Sequence, residues 1–318
     1  MTDVADLVGR ARTGDRRAVA RLISLVEDAS PLLREVMAAL VAAGPADTYV
    51  VGLTGPPGVG KSTSTAALIG AYRRRGVRVG VLAIDPSSPY SGGALLGDRI
   101  RMGAHAEDDG VYIRSMAARG HLGGLSWAAP QALRVLAAAG CEVILLETVG
   151  VGQSEVEVAG QADTTLVLMA PGMGDGIQAA KAGILEVGDI YVVNKADREG
   201  AAQTARELTH MLSLGPGRGE GDWTAPVLKT VASRGDGVEE VLDAISQHRQ
   251  HLTDSGRLLA RRRRRAAGEV EAVTLEGMRR RIGNLRGDRR LEALADRVAA
   301  GELDPYAAAD ALAEQLAT

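Results

Sequence analysis

Eight consecutive residues, Gly55-Pro-Pro-Gly-Val-Gly-Lys-Ser62, carry the strongest chemical signal in the chain. They match the pattern of a loop that wraps phosphate. Its glycines let the backbone curl, so that successive N–H groups point into one anion-sized hollow. A helix leaving the loop adds the positive end of its dipole. Lys61 is then placed to reach β- and γ-phosphates and Ser62 to ligate Mg2+, while Gly55, Gly58, Val59, Gly60 and Thr63 complete the candidate phosphate-binding set. A lysine early in the loop, as some dimeric ATPases use, is absent, because Pro56 and Pro57 follow Gly55.

A second pattern, Asn194-Lys-Ala-Asp197, follows an apolar run ending at Val193. Asp197 can accept hydrogen bonds from the N1–H and the 2-amino group of guanine. Adenine lacks that amine and turns a bare acceptor toward the carboxylate, an unpaired arrangement that costs affinity. Lys195 can lay its aliphatic stem over the base, and Asn194 can tie this loop to the phosphate loop. Four residues alone would also suit a helix N-terminus rich in Asn and Asp; it is the place after a late strand that gives the pattern weight. Thr230-Val-Ala-Ser233 follows the last strand, and there Ala232 and Ser233 are candidates to offer a backbone N–H to guanine O6.

Three acids sit where a cation would. Asp85 and Glu147 each end a run of strand-like residues, and Asp98 lies in Gly97-Asp98-Arg99. Mg2+ favours carboxylate, hydroxyl and phosphate oxygens and retains several waters, so Asp85, Asp98 and Glu147 are candidate direct or water-mediated ligands beside Ser62. Capping of a turn or helix is the alternative role for Asp85 and Asp98. Lys61, Glu147 and Gln153 form the candidate catalytic set, Gln153 as the residue that positions the attacking water by analogy with the glutamine of other GTPases.

The elements that must position these residues are legible from hydrophobic pattern. Strands are expected at 49–54, 78–84, 111–114, 143–147, 164–169, 190–194 and 226–231, nearly all apolar, as strands buried on both faces of a parallel sheet are. Helices are expected between most of them, at 62–75, 126–139, 201–212 and 238–248. The alternation predicts an α/β fold, a P-loop NTPase with a doubly wound, mainly parallel sheet, whose strand ends open on the edge where ligands bind. Residues 1–46 read as a helical extension, 47–252 as the nucleotide-binding domain and 253–318 as a helical region. The last has an apolar stripe, Leu258, Leu259, Val270, Val273, Met278 and Ile282, that must pack on its own domain or on a second subunit.

Composition excludes several other classes. Formal charge is −3 over 318 residues, with no Phe and two Trp, so neither attraction to nucleic acid nor stacking platforms are provided. Cys141 is the single cysteine, which excludes an internal disulfide and fits a reducing compartment. No apolar run reaches the ~18 residues of a membrane span, and the first residues lack a signal-peptide core. A cytoplasmic protein that binds neither nucleic acid nor membrane is expected. The run Arg261–Arg265 points around the whole helical cylinder and reads as a solvated helix with scattered ion pairs, contact with an acidic partner surface being the alternative, and the five histidines show no metal-ligand pattern. His121 has no assigned role.

Taken together these segments resemble the GTPase family associated with adenosylcobalamin-dependent methylmalonyl-CoA mutase, relatives of the mitochondrial cobalamin-disorder type A protein. The resemblance runs from Gly14-Asp-Arg-Arg17 through the phosphate loop, Asp85-Pro-Ser-Ser-Pro89, Glu147-Thr-Val-Gly-Val-Gly-Gln-Ser154, Pro171-Gly-Met-Gly-Asp-Gly-Ile-Gln178 and Asn194–Asp197 to Asp304-Pro-Tyr306. Glu147 is its most telling residue, since most GTPases carry Asp-x-x-Gly there. The resemblance implies a homodimer, built partly through the helical tail, that binds GTP or GDP with Mg2+. It implies slow hydrolysis of GTP, stimulated by an acyl-CoA mutase whose cofactor loading the dimer gates and protects. It also implies an additional switch after the fourth core strand, with Asp175, Gln178 and Lys181 as candidate partner-facing residues. Two other functions compete. A kinase-like phosphotransferase of amino-acid transport would need a preference for ATP, against Asn194–Asp197. A metal-insertion GTPase for a nickel enzyme would need Cys/His ligands that this chain does not gather.

Overall fold

The computed structural model describes residues 3–44, 47–86, 103–105, 107–118, 128–148, 154–172, 186–214, 221–282, 285 and 287–317. Seven strands form one parallel sheet: β1 (Tyr49–Thr54), β2 (Val79–Pro86), β3 (Val111–Ala118), β4 (Val143–Thr148), β5 (Thr164–Met169), β6 (Ile190–Val193) and β7 (Val227–Lys229), in the order β3-β2-β4-β1-β5-β6-β7. Every residue of β1, β4, β5 and β6 is buried, because helices cover both faces. On one face Val50, Leu82, Ile144 and Leu146 share a core with α1 (Val4–Arg12), α2 (Arg16–Glu27), α3 (Leu33–Ala42), α5 (Ala129–Ala138) and α6 (Ser154–Gln161). On the other, Val51, Leu53, Val81 and Leu145 pack on α4 (Lys61–Arg74) and α8 (Val238–Asp254). Val167, Met169, Tyr191 and Val193 pack on α7 (Ala201–Ser213). Odd and even positions of each strand thus enter different cores, as a period-two strand requires.

The chain forms two compact units, Met1–Arg263 and Arg264–Thr318. The long helix α9 (Arg257–Ile282) begins in the first, and α10 (Arg289–Ala299) and α11 (Pro305–Ala317) belong to the second. There Leu294, Ala308 and Leu312 make a small core. Val270, Val273, Leu275, Met278 and Ile282 of α9 are exposed. No helix among the described residues is long and apolar enough to cross a membrane.

One sequence expectation changes and another becomes specific. The last strand is shorter than 226–231, because Val231 leaves the sheet and makes an antiparallel bridge with Asp236, folding residues 230–236 back toward the strand ends. The arginine run is not uniformly solvated. Arg261 donates to both carboxylate oxygens of Asp189 at 2.8 and 2.7 Å and to the Asp163 carbonyl at 3.0 Å. Arg262 donates to the Asp163 carboxylate at 3.2 and 3.4 Å and to the Thr48 carbonyl at 2.8 Å. Asp163 and Asp189 immediately precede β5 and β6, so the opening turns of α9 are pinned to the amino rim of the sheet. The first compact unit accordingly extends to Arg263.

Candidate nucleotide site

The opposite, carboxyl rim gathers the two motifs. β1 runs straight into Gly55–Gly60 and then α4. Gly55, Gly58 and Gly60 have φ of 139°, 78° and 95°, values that favour glycine. A Cβ on Gly55 would fall on the Leu168 carbonyl oxygen, and one on Gly60 would lie 2.6 Å from Asn194 Nδ2. Crowding by β5 and by the loop after β6 therefore demands glycine as strictly as the turn does. Lys61 is buried and curls over the loop, its Nζ donating to the carbonyls of Gly55 at 2.5 Å and Pro56 at 3.1 Å. Val59 is buried, and Thr63 is exposed in the first turn of α4.

Asn194 holds three segments together. Its Nδ2 donates to the Val59 carbonyl at 2.9 Å, and its Oδ1 accepts from the Ala232 N–H at 3.1 Å and from Thr230 Oγ1 at 3.2 Å. Lys195, at φ 58°, sends its Nζ to the Gly58 carbonyl at 2.6 Å, so its stem lies along the phosphate loop. Ala232 spends its amide on Asn194, which leaves Ser233 as the residue of that pair available to offer a backbone donor to a base. Asp197, two residues beyond Lys195, pairs with Arg234, whose guanidinium lies 3.2 Å from Oδ2.

The cation region is equally ordered where it is described. β4 pairs with β1 so that Glu147 lies beside Leu53, which carries the carboxylate under the phosphate loop. Glu147 is buried; its Oε1 accepts from Ser62 Oγ at 2.8 Å and its Oε2 from Thr65 Oγ1 at 2.7 Å. A hydroxyl beside a carboxylate is a donor set suited to Mg2+, which takes oxygen ligands and keeps waters and substrate phosphates for the rest. Among the described residues no group of three or more His, Cys, Asp or Glu could hold a metal. Asp85 is the penultimate residue of β2, next to β4 in the sheet. Asp98, Gln153, Asp175, Gln178, Lys181 and His121 lie outside the described residues.

Sequence reading missed Thr65 and Arg234. Thr65 stands three residues after Ser62, on the same helical face, which is the signal that could have found it. Arg234 has no such signal; it meets Asp197 only because the chain folds back after β7.

Comparison with known proteins supports the same reading. The family described as methylmalonyl Co-A mutase-associated GTPase MeaB matches residues 19–284. A protein of Pyrococcus abyssi named as a GTPase is 46% identical over 314 residues, 98% of this chain and 97% of that one. The mitochondrial methylmalonic aciduria type A homolog of Mus musculus is 37% identical over 265 residues, 78% of this chain and 64% of the mouse protein. The crystal structure of a LAO/AO transport system kinase matches with a TM-score of 0.74 and 28% identity, over 100% of both chains.

Proposed function

The chain belongs to the methylmalonyl-CoA mutase-associated GTPase family, and from that premise we propose that it is a Mg2+-dependent GTP switch that loads and protects an adenosylcobalamin-dependent acyl-CoA mutase. It is a GTPase, as its family is. The observation that carries the nucleotide assignment is the position of Asn194, bonded at once to the phosphate loop through Val59 and to the 230–236 loop through Ala232. Loops joined in this way can grip opposite ends of one guanosine nucleotide.

In this reading Gly55 to Thr63 hold the phosphates, Asp197 accepts from the guanine N1–H and 2-amino group, and Lys195 flanks the base. Ser62 and Glu147 hold Mg2+ directly or through water, with Asp85 and Asp98 as further ligands. Mg2+ would neutralise charge on the γ-phosphate. Lys61 and the loop amides stabilise that charge from the protein side, and Gln153 orients the water whose attack releases phosphate and GDP. Catalysis that rests on positioning and charge neutralisation by Lys61, Mg2+ and the loop amides fits slow turnover that a partner accelerates. The mutase assignment is supported by the family's name and by that of the mouse relative; Asp175, Gln178 and Lys181 would face that partner. The exposed apolar residues of α9, Val270, Val273, Leu275, Met278 and Ile282, support a homodimer. Its balanced charge and the lack of apolar spans support a cytoplasmic location.

Titrating the mutase of the native cell into the purified protein tests the proposal. GTP bound well ahead of ATP, with phosphate release rising as mutase is added, is the expected result. A preference for ATP would favour the transport-kinase reading, and a rate indifferent to mutase would remove the partner.

A further inference from the structure

We propose that Thr65 is a positioning residue for the cation-binding carboxylate: its hydroxyl fixes Glu147 so that Glu147 in turn orients Ser62 toward Mg2+. The inference deepens the nucleotide reading and rests on it.

Ser62 and Thr65 lie one turn apart on α4, and both side chains are buried, at 5% and 0% exposure. The two hydroxyls take different oxygens of one carboxylate, Ser62 at Oε1 and Thr65 at Oε2. A glutamate supported on one oxygen can still swing about its terminal bonds; supported on both, the plane of the carboxylate is set. Thr65 Oγ1 also lies 3.1 Å from the Lys61 carbonyl. A hydroxyl has one proton, and the shorter contact, to an ionised acceptor, is the stronger bond. The proton therefore goes to Glu147 in preference to the helix carbonyl.

The consequence for Ser62 is directional. Its proton is donated to Glu147 Oε1, so Oγ can meet a cation only through its lone pairs. If the carboxylate rotates, that proton loses its fixed acceptor and the lone pairs lose their direction. Thr65 thus acts on the cation through Glu147. Its removal is expected to weaken Mg2+ dependence and turnover while leaving guanine recognition intact.

The test compares Thr65→Val, which keeps the shape and loses the hydroxyl, with Thr65→Ser, which keeps the hydroxyl. The first readout is the Mg2+ concentration that half-maximally slows release of a fluorescent GDP, and the second is kcat and KM for GTP at saturating Mg2+. Loss of a hydrogen bond to a charged group predicts about a tenfold rise in the Mg2+ midpoint and about a tenfold fall in kcat for Thr65→Val. KM and the GTP-to-ITP affinity ratio should stay within about twofold, because no base contact changes. Thr65→Ser should restore both quantities. In a Glu147→Gln background Thr65→Val should add little, since the two act as one unit. If the Val variant melts below the assay temperature, Thr65→Cys, a weak donor of similar size, gives the same comparison. Unchanged Mg2+ midpoint and kcat in Thr65→Val, or Ser and Val variants equally impaired, would overturn the proposal. A wild-type protein that fails to bind GDP at any Mg2+ concentration would instead overturn the nucleotide reading itself.

Discussion

Asn194 donates its side-chain amide to the carbonyl of Val59 at 2.9 Å, joining the loop after β6 to the loop after β1 across the width of β5. The same side chain accepts from Ala232 and Thr230, so one buried residue sets the spacing between the phosphate and base halves of the site. Replacing it with alanine removes all three bonds. GDP affinity measured by titration calorimetry should fall about 30-fold, an expected loss of roughly 2 kcal/mol. Wild-type affinity in Asn194→Ala would show that the loops hold their spacing without it.

Asp197 supplies the discrimination. Asp197→Asn replaces an acceptor by a donor, so GTP binding should drop by about 100-fold or more while xanthosine triphosphate gains. Competition between the two nucleotides against fluorescent GDP reads this directly. Arg234 supports that carboxylate from an exposed position, where an ion pair is worth at most about 1 kcal/mol. Arg234→Ala should therefore cost no more than about fivefold in affinity, and a larger loss would mean that Arg234 touches the nucleotide itself.

The amino rim predicts a stability effect with no loss of chemistry. Arg261 and Asp189 form a two-pronged pair in which the aspartate is 9% exposed. Removing the arginine strands a buried carboxylate, at a cost of about 3 kcal/mol. Trp223, whose indole N–H donates to the Asp189 carbonyl at 2.7 Å, is a natural fluorescent reporter of urea unfolding. Arg261→Ala should shift that transition while guanine-nucleotide affinity at low urea stays near wild type. An unmoved transition would place the helix anchor elsewhere.

His248 should make stability fall on acidification. It is fully buried, its Nδ1 lies 2.7 Å from Thr164 Oγ1, and burial pushes its pKa down to about 4. Asp189 opposes that shift, and Arg261 and His251 add to it. Above about pH 6.5 the imidazole is neutral in both the folded and unfolded chain, and the full stability is present. Below that pH the unfolded chain takes up a proton that the folded chain refuses until about pH 4. The loss should run at roughly 1.4 kcal/mol per pH unit, on the order of 3 kcal/mol in all. Urea titrations between pH 7 and 4.5 should show wild type losing stability relative to His248→Gln as pH falls; a constant difference would mean that His248 does not titrate in this range.

What the sequence determined by itself was whatever is written in consecutive residues. Apolar runs located all seven strands, most plainly β1, β4, β5 and β6, because a strand buried on both faces must be apolar along its length; β1 and β5 begin and end where the pattern put them. Gly55–Ser62 and Asn194–Asp197 announced a guanine nucleotide because their chemistry lies within eight and four neighbouring positions, and the family followed from the same segments. Tertiary structure alone decided the partners that come together from distant parts of the chain. Glu147 meets Thr65 across 82 positions, Arg261 meets Asp189 across 72 and Arg234 meets Asp197 across 37. An arginine run looks solvated until the assembled sheet offers Asp163 and Asp189 to two of its members, and the Ala232 amide looks free until Asn194 takes it. Hydrogen bonds are short-ranged and directional, so a string of residues carries their donors and acceptors but only the folded sheet chooses which of them meet.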